Sequence, residues 1–403
     1  MHNLTKIRIF RLLLWVSYPL SLLIIYPFAR ARRKSPTGLF FFFDRYSIGG
    51  AQRIHLDILE SVSDLEKFVF FTRKSPNNKL KETFYSVPNS INSDIHFWCD
   101  NLLFRLFTVH YFAFYLNSHK KAHILSANST FFYDLLPFLK APVICSELLH
   151  NFSYGKNGME FFGLANYQRL NYRIVYDSFT LSNIRNQYSE FRIPPAFLER
   201  IRFIEPGVNL LTEKPVKDFS FPVKILYAGR GGPQKRVWLI NRIAEFIIQK
   251  NWPVHFSFAG TMSDELSETT KKNSTLYGEV SSAEKMNEIY ASSHFIILTS
   301  AYEGFPMVIK EGMARACIPF VTALEGNRMH LKHEENALLI HAIEDEAALV
   351  QEAIQIIDKI IQNPEQIPVL SDKAWQYAHT HFDKKNFLKT YRQFLLGELQ
   401  TGS

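Results

Sequence analysis

The chain has 403 residues, enough for two or three domains with sizeable cores, and its 47% hydrophobic content excludes a disordered protein. Its three cysteines, Cys99, Cys145 and Cys317, are far apart, without metal-ligand spacing, and fit buried thiols in a reducing compartment. The net charge of +8 suits an anionic partner. With no basic module interleaved with aromatics, lipid and phosphate are better candidates than nucleic acid. Phe is unusually abundant, at 36 residues, and the sequence alone gives no functional account of it.

The first feature in chain order is Leu12–Phe28, a stretch without charge, preceded by Lys6, Arg8 and Arg11 and followed by Arg30, Arg32, Arg33 and Lys34. It is at the lower limit for spanning a bilayer. Pro19 and Pro27 would kink a helix, and Trp15, Tyr18 and Tyr26 suit an interface. Three readings are open. The favoured one is a membrane-embedded anchor, spanning or re-entrant. The others are a cleaved signal peptide, since Ala29-Arg-Ala31 loosely fits a cleavage site, and a helix buried on the body of the protein.

Strands and helices then alternate. Leu39–Phe43, Phe68–Thr72, Ile95–Cys99, Ile124–Ala127, Val143–Ser146, Ile174–Tyr176 and Ile201–Ile204 read as strands. Arg105–Leu116 and Phe131–Leu139 read as helices, as does a segment starting near Gly50. Such alternation predicts a parallel sheet with helices on both faces. A second series follows, with strands at Lys224–Ala228, Val254–Phe258, Phe295–Thr299, Pro319–Thr322 and Ala337–Ile340. Its helices fall at Val237–Gln249, Ala283–Ala291, Pro306–Ala316 and Glu346–Ile361, with a last amphipathic helix at Lys384–Leu396. A polar hinge is expected within Leu210–Phe221. The expected organisation is an N-terminal membrane-associating segment and basic linker (1–35), a first Rossmann-like domain (36–215), a second (216–380) and a C-terminal helix (381–403).

In open α/β sheets, ligands bind beyond the C-terminal ends of the strands, and every candidate motif falls at such an end. Ile48-Gly49-Gly50 joins the first strand to a helix, where paired glycines permit close approach of a phosphate or sugar. Glu147-Leu-Leu-His150 follows a strand of the first series. In Tyr227-Ala-Gly229-Arg230, Gly229 lets the backbone turn. Arg230 offers a planar fork to phosphate oxygens, and Lys235 adds a point charge. Gly278-Glu-Val280 precedes another helix. The most informative run is Glu303-Gly304-Phe305-Pro306 through Glu311, after a buried strand. Pro306 suits a first helical position, so free amides lie between two carboxylates. Carboxylates flanking an anion hole can take a phosphate together with neighbouring hydroxyls, the combination found in a nucleotide sugar. His330 and His333 could pair on a metal, but no third ligand is in register.

The Glu-x7-Glu spacing, with Gly-Phe-Pro after the first Glu, resembles family 4 of the GT-B glycosyltransferases, which are retaining and use nucleotide sugars. The resemblance is strong over 223–341 and moderate over 39–209. It implies two doubly wound Rossmann-like parallel-sheet domains facing a cleft. It implies that Arg230 and Lys235 hold the diphosphate, that Glu311 binds the ribose, and that Glu303 with the amides of Gly304 and Phe305 holds the donor sugar. It also implies a Gly49-Gly50 loop closing over the donor, His150 contacting the sugar, and Val280 near the base. No cofactor and no metal are implied beyond the donor itself, UDP- or GDP-linked. The last helix would cross back to the first domain.

The chain departs from the family pattern at Gly312 and Ala316, small-for-small changes, and at Glu325-Gly326-Asn327-Arg328, which leaves the sugar open. Nucleotide-sugar donors are made and used mainly in the cytoplasm. The basic flank also favours a body on the cytoplasmic side of a membrane, with a glycan or lipid-linked acceptor. Rival readings are a sugar-nucleotide epimerase and a non-catalytic nucleotide-sugar-binding subunit.

Overall fold

The structure, a computed structural model, describes residues 2–47, 49–152 and 158–398. Two compact units divide the chain. The first holds 1–176, 180–204 and 388–403, and the second holds 177–179 and 205–387.

The first unit is a parallel sheet of β1 (Leu39–Phe43), β2 (Lys67–Phe71), β3 (Ser90–Asp94), β4 (Ala122–Ala127), β5 (Val143–Leu148), β6 (Tyr172–Val175) and β7 (Ile201–Phe203), in the order β3-β2-β1-β4-β5-β6-β7. Central β1 is wholly buried, as expected for a strand covered on both faces. Its phenylalanines account for part of the unusual Phe content. Phe42 stacks on Phe70 of β2 at 5.0 Å, and Phe70 meets Phe112 edge-on at 4.8 Å.

Ile95–Cys99 is not the strand that its apolar character suggested. The edge strand is the polar Ser90–Asp94 just before it, in register with Lys67–Phe71. An edge strand faces solvent and needs no apolar run. The apolar residues instead form a short helix, His96–Asp100, which buries Cys99 and leaves Phe97 and Trp98 exposed.

The N-terminal stretch forms α1 (His2–Ile24) and α2 (Tyr26–Ala31). Pro19 lies inside α1 and Pro27 in the first turn of α2, where a missing N–H costs little. Both helices pack on the helix Leu102–Asn117, and Phe10, Leu14 and Ala29 are part of the first unit's core. Ser21 and His110 share a buried hydrogen bond of 2.6 Å. Among the described residues no helix is long and apolar enough to cross a membrane. The segment is thus built into the first unit on one face only.

The second unit repeats the design. Its parallel sheet contains β8 (Val223–Ala228), β9 (Val254–Ala259), β10 (Thr275–Gly278), β11 (Phe295–Leu298), β12 (Ile318–Thr322) and β13 (Leu338–Ile340), in the order β10-β9-β8-β11-β12-β13. Edge strand β10 is largely exposed and lacks the apolar signature that marks its neighbours. The core here is aliphatic, with Ile240, Ile243, Ile247, Ile297 and Ile309 fully buried. The chain enters this unit at Glu205, ahead of the polar segment read as a hinge, because Val208 already packs in the second core and bridges to Asp383. The last helix, Lys384–Leu396, begins in the second unit and ends in the first, where Phe394 packs on His123 and Tyr172.

Candidate donor site

Strand order reverses between β8 and β11, so their C-terminal ends diverge into the crevice where doubly wound sheets bind ligands. Gly229–Lys235 leaves β8 and Ala301–Pro306 leaves β11, and the two loops are stitched together. The Ala301 amide donates to the Gln234 carbonyl at 2.8 Å, and Gln234 Nε2 donates to the Tyr302 carbonyl at 3.1 Å. Arg236 Nε donates to the Thr299 carbonyl at 2.8 Å. Lys235 and Glu303 meet as an ion pair with only 16% and 12% of their side chains exposed. Arg230 is exposed and forms no ion pair among the described residues, so its fork is available to an anion.

Two glycines make this geometry possible. A Cβ on Gly260, at φ +122°, would lie 1.8 Å from the Gly229 carbonyl oxygen. A Cβ on Gly326 would lie 1.6 Å from the Gly304 carbonyl oxygen. Gly260 went unremarked in the sequence, although its place directly after β9 is the kind of position where a backbone approach is expected. Tyr227 holds the first loop from beneath, its hydroxyl donating to the Arg230 carbonyl at 2.6 Å.

The helix after β11 begins at Met307, with Pro306 at its N-cap (φ −62°, ψ 136°) and not inside the first turn. The amides of Gly304 and Phe305 donate to nothing among the described residues. The Phe305 ring is buried, 4.4 Å from His330 and 5.5 Å from Phe382, so only its backbone can serve a ligand.

Glu311 is half-buried and accepts from the Tyr290 hydroxyl at 2.8 Å. Val280 packs against the same small cluster as Tyr290, which brings it into Glu311's neighbourhood. Tyr290 carried no sequence signal. It is one of several aromatics on helix faces, and only the packing singles it out. Beneath, the fully buried Lys310 donates to Glu205 Oε1 and to the Pro206 carbonyl, both at 2.8 Å. Burial acts to raise the Glu205 carboxyl, but the hydrogen bond from His330 and the charge of Lys310 outweigh it and hold it below the usual range. His330 is thereby a partner of Glu205, at 3.1 Å, and His333 accepts from the Leu339 amide. Among the described residues no group of three or more His, Cys, Asp or Glu could hold a metal ion.

In the first unit, Ile48 of the glycine loop lies outside the described residues. Gly49 is extended (φ 173°), a conformation open to any residue, and a Cβ on Gly50 would meet nothing within 4 Å. His150 sits two residues beyond β5, with its Nε2 2.8 Å from that of His55. Tyr176 donates its proton to the His150 carbonyl at 2.6 Å, leaving its oxygen to accept from His150 Nδ1 at 3.3 Å. His150 Nε2 is then the acceptor and His55 the donor. This leaves the bare Nδ1 of His55 buried without a partner, as observed. Burial pushes His150 down to about 4, and His55 falls well below its usual range through burial and the neighbouring His150. Both rings are neutral at pH 7, and both His150 nitrogens are engaged within the first unit.

Residues 222–359 match the family model described as glycosyl transferases group 1. The matched stretch contains every residue of the β8–β11 site. Anabaena HepE, solved with UDP and glucose, superposes with a TM-score of 0.68 at 15% identity, covering 89% of this chain and 100% of that one. A glycosyltransferase from Rickettsia africae ESF-5 gives a TM-score of 0.65 at 13% identity, covering 90% and 99%. The lipopolysaccharide outer core galactosyltransferase WaaB gives 0.59 at 17%, covering 85% and 99%. No curated protein matches in sequence. The fold is GT-B, two doubly wound parallel-sheet units, as the Glu-x7-Glu resemblance implied.

Proposed function

We propose that this protein is a glycosyltransferase that moves a sugar from a nucleotide-sugar donor to a membrane-proximal glycan or lipid-linked acceptor, at the cytoplasmic face of a membrane. The observation that carries the proposal is that the two loops leaving β8 and β11, where strand order reverses, carry Arg230, the Lys235–Glu303 pair and the amides of Gly304 and Phe305, which donate to nothing among the described residues. The family match over the same residues supports it. A UDP-linked donor is preferred, because HepE was solved with UDP and with UDP-glucose.

As the bond from the anomeric carbon to the diphosphate oxygen breaks, the diphosphate leaves with the electron pair, and the acceptor oxygen bonds the carbon while its proton passes to the departing diphosphate. Charge therefore builds on the diphosphate. Arg230, Lys235 and the two amides are the groups assigned to stabilise it, without a divalent metal. Lys235 enters this role from its pair with Glu303, so donor binding would turn a closed ion pair into a shared network. Glu303 is assigned to the sugar hydroxyls, and Glu311, oriented by Tyr290, to the ribose. Gly229, Pro306 and Val280 shape the donor's surroundings. Gly49, Gly50 and His150 are assigned to the sugar and acceptor side. Retention of configuration is proposed from the Glu-x7-Glu resemblance.

The test is thermal unfolding of the full chain with UDP, GDP and their sugar conjugates, with and without EDTA. The full chain is needed because α1 and α2 carry core residues of the first unit. Uridine nucleotides should raise the melting temperature regardless of EDTA, and Glu311→Ala should abolish the rise. An unchanged melting temperature with every nucleotide would overturn the proposal.

A further inference from the structure

α1 is apolar on both faces, yet only one face is covered. Phe10, Leu14 and Ser21 face the core, while Leu12, Val16 and Leu23 on the opposite side are 63%, 70% and 78% exposed. A helix that is apolar all round is stable only when buried in protein or lipid. A second exposed segment adjoins it. The corner between the helices His96–Asp100 and Leu102–Asn117 presents Phe97, Trp98, Leu102, Leu103 and Phe104 to the outside. Three of these rings pack on one another, with centroids 5.2–5.6 Å apart, so the knob is preformed. The two segments are joined through the same helix, since Phe10 of α1 lies 5.7 Å beneath the Arg105 guanidinium. Among the described residues, most of the exposed large apolar side chains fall in these two stretches, 9–28 and 97–107. That concentration exceeds what a water-facing surface normally carries.

Charge selects the occupant. Residues 1–43 hold seven of the 46 Lys and Arg and none of the 38 Asp and Glu. The remainder is therefore close to neutral, 39 cations against 38 anions, and the segment that carries the apolar face carries nearly all of the net +8. Arg8 and Arg30, towards the two ends of the α1–α2 stretch, are exposed. A second copy of the chain meeting this face would bring like charges together, whereas an anionic lipid surface would meet opposite ones.

We propose that α1, α2 and the Phe97–Phe107 corner form one in-plane docking face for an anionic lipid bilayer, with α1 lying along the surface and not crossing it. At about 1.5 Å per residue the helix runs for roughly 35 Å in the interface. Its buried side stays on Leu102–Asn117 through the Ser21–His110 bond, so docking needs no unfolding of the core. Trp15 and Trp98, both exposed, take the headgroup level that suits indole. This deepens the membrane-proximal reading above and rests on it for its purpose, since a face of this kind would hold the enzyme beside a lipid-linked acceptor.

The experiment is flotation of the full-length protein with phosphatidylcholine vesicles and with phosphatidylcholine–phosphatidylglycerol vesicles, at low and high salt. Anionic vesicles should bind it more tightly by about tenfold or more, with the advantage shrinking in high salt. V16D with L23D on α1, and separately L102D with L103D at the corner, should each lower binding about tenfold. Their melting temperatures should stay unchanged, because the altered side chains are exposed. Should the α1 variant fail to fold, the corner variant still decides. Equal binding of wild type and both variants, or no binding of wild type to anionic vesicles, overturns the proposal. So does a wild-type dimer that ignores vesicles and is dispersed by these substitutions. Uridine-nucleotide stabilisation, read on the same protein, separates failure of the docking face from failure of the glycosyltransferase reading.

Discussion

The two sheets share one strand order around their centres, yet the pairs at their C-terminal ends are of opposite kinds. Beyond β5 in the first unit, His150 meets His55, two neutral imidazoles, and His55 lies parallel to Phe43 at 4.2 Å. Beyond β8 and β11 in the second unit, Lys235 meets Glu303, and Arg230 on the same β8 loop is exposed. Architecture offers a crevice in both places. The second holds a Lys235–Glu303 pair, an exposed Arg230 and the amides of Gly304 and Phe305, groups that suit a diphosphate. A shared topology thus says where a ligand can sit, and the side chains at the strand ends say which chemistry it has.

That contrast can be broken in several ways. The largest effect is expected from Lys310→Met, which removes a fully buried cation and leaves the partly buried Glu205 with His330 as its remaining partner. A loss of about 3–5 kcal/mol in unfolding free energy should appear in denaturant titrations. Arg230→Ala touches no ion pair among the described residues, so stability should hold while kcat/KM for sugar transfer drops about 10²–10³-fold. An equal loss of stability would assign Arg230 to the fold and not to the donor.

Acid should weaken the first unit more gently. In the unfolded chain, histidines take up protons below about pH 6.5. In the folded first unit, burial holds His123 and His150 down to about 4. The unfolded state therefore binds more protons between these limits. Stability is full above about pH 6.5 and is lost as pH falls toward 4. Melting temperatures across that window, followed by tryptophan fluorescence and by circular dichroism, should fall, and His123→Phe should flatten the slope if it packs without strain.

The smallest effect belongs to Gly50→Ala. A Cβ there meets nothing within 4 Å, so stability should be unchanged or rise by about 0.4–1 kcal/mol. A selective rise in KM for donor or acceptor would then mark the open space as ligand territory.

Much of this was legible in advance. The central strands of both sheets fell where uncharged runs lie between turn residues, because strands buried on both faces must be apolar throughout. The helices Val237–Gln249 and Lys384–Leu396 were readable from spacing alone. The outer strands β3 and β10 were not, whereas the opposite edges β7 and β13 were read from their apolar runs. Ser90–Asp94 and Thr275–Gly278 are held by register with one neighbour and carry no apolar signature, and Ile95–Cys99 drew the strand reading to itself.

The sequence by itself determined the parallel α/β plan and the loops at which Glu303, Glu311, Gly229 and Arg230 appear. These depend on a strand, a turn and a helix adjacent in the chain, and local periodicity and turn chemistry encode such units. Only the tertiary structure decided that Lys235 meets Glu303, that Tyr290 orients Glu311, that His55 faces His150, and that α1 covers the core with one face while exposing the other. Each of those depends on segments far apart in the chain, which sheet order and helix packing bring together and which no local pattern can specify.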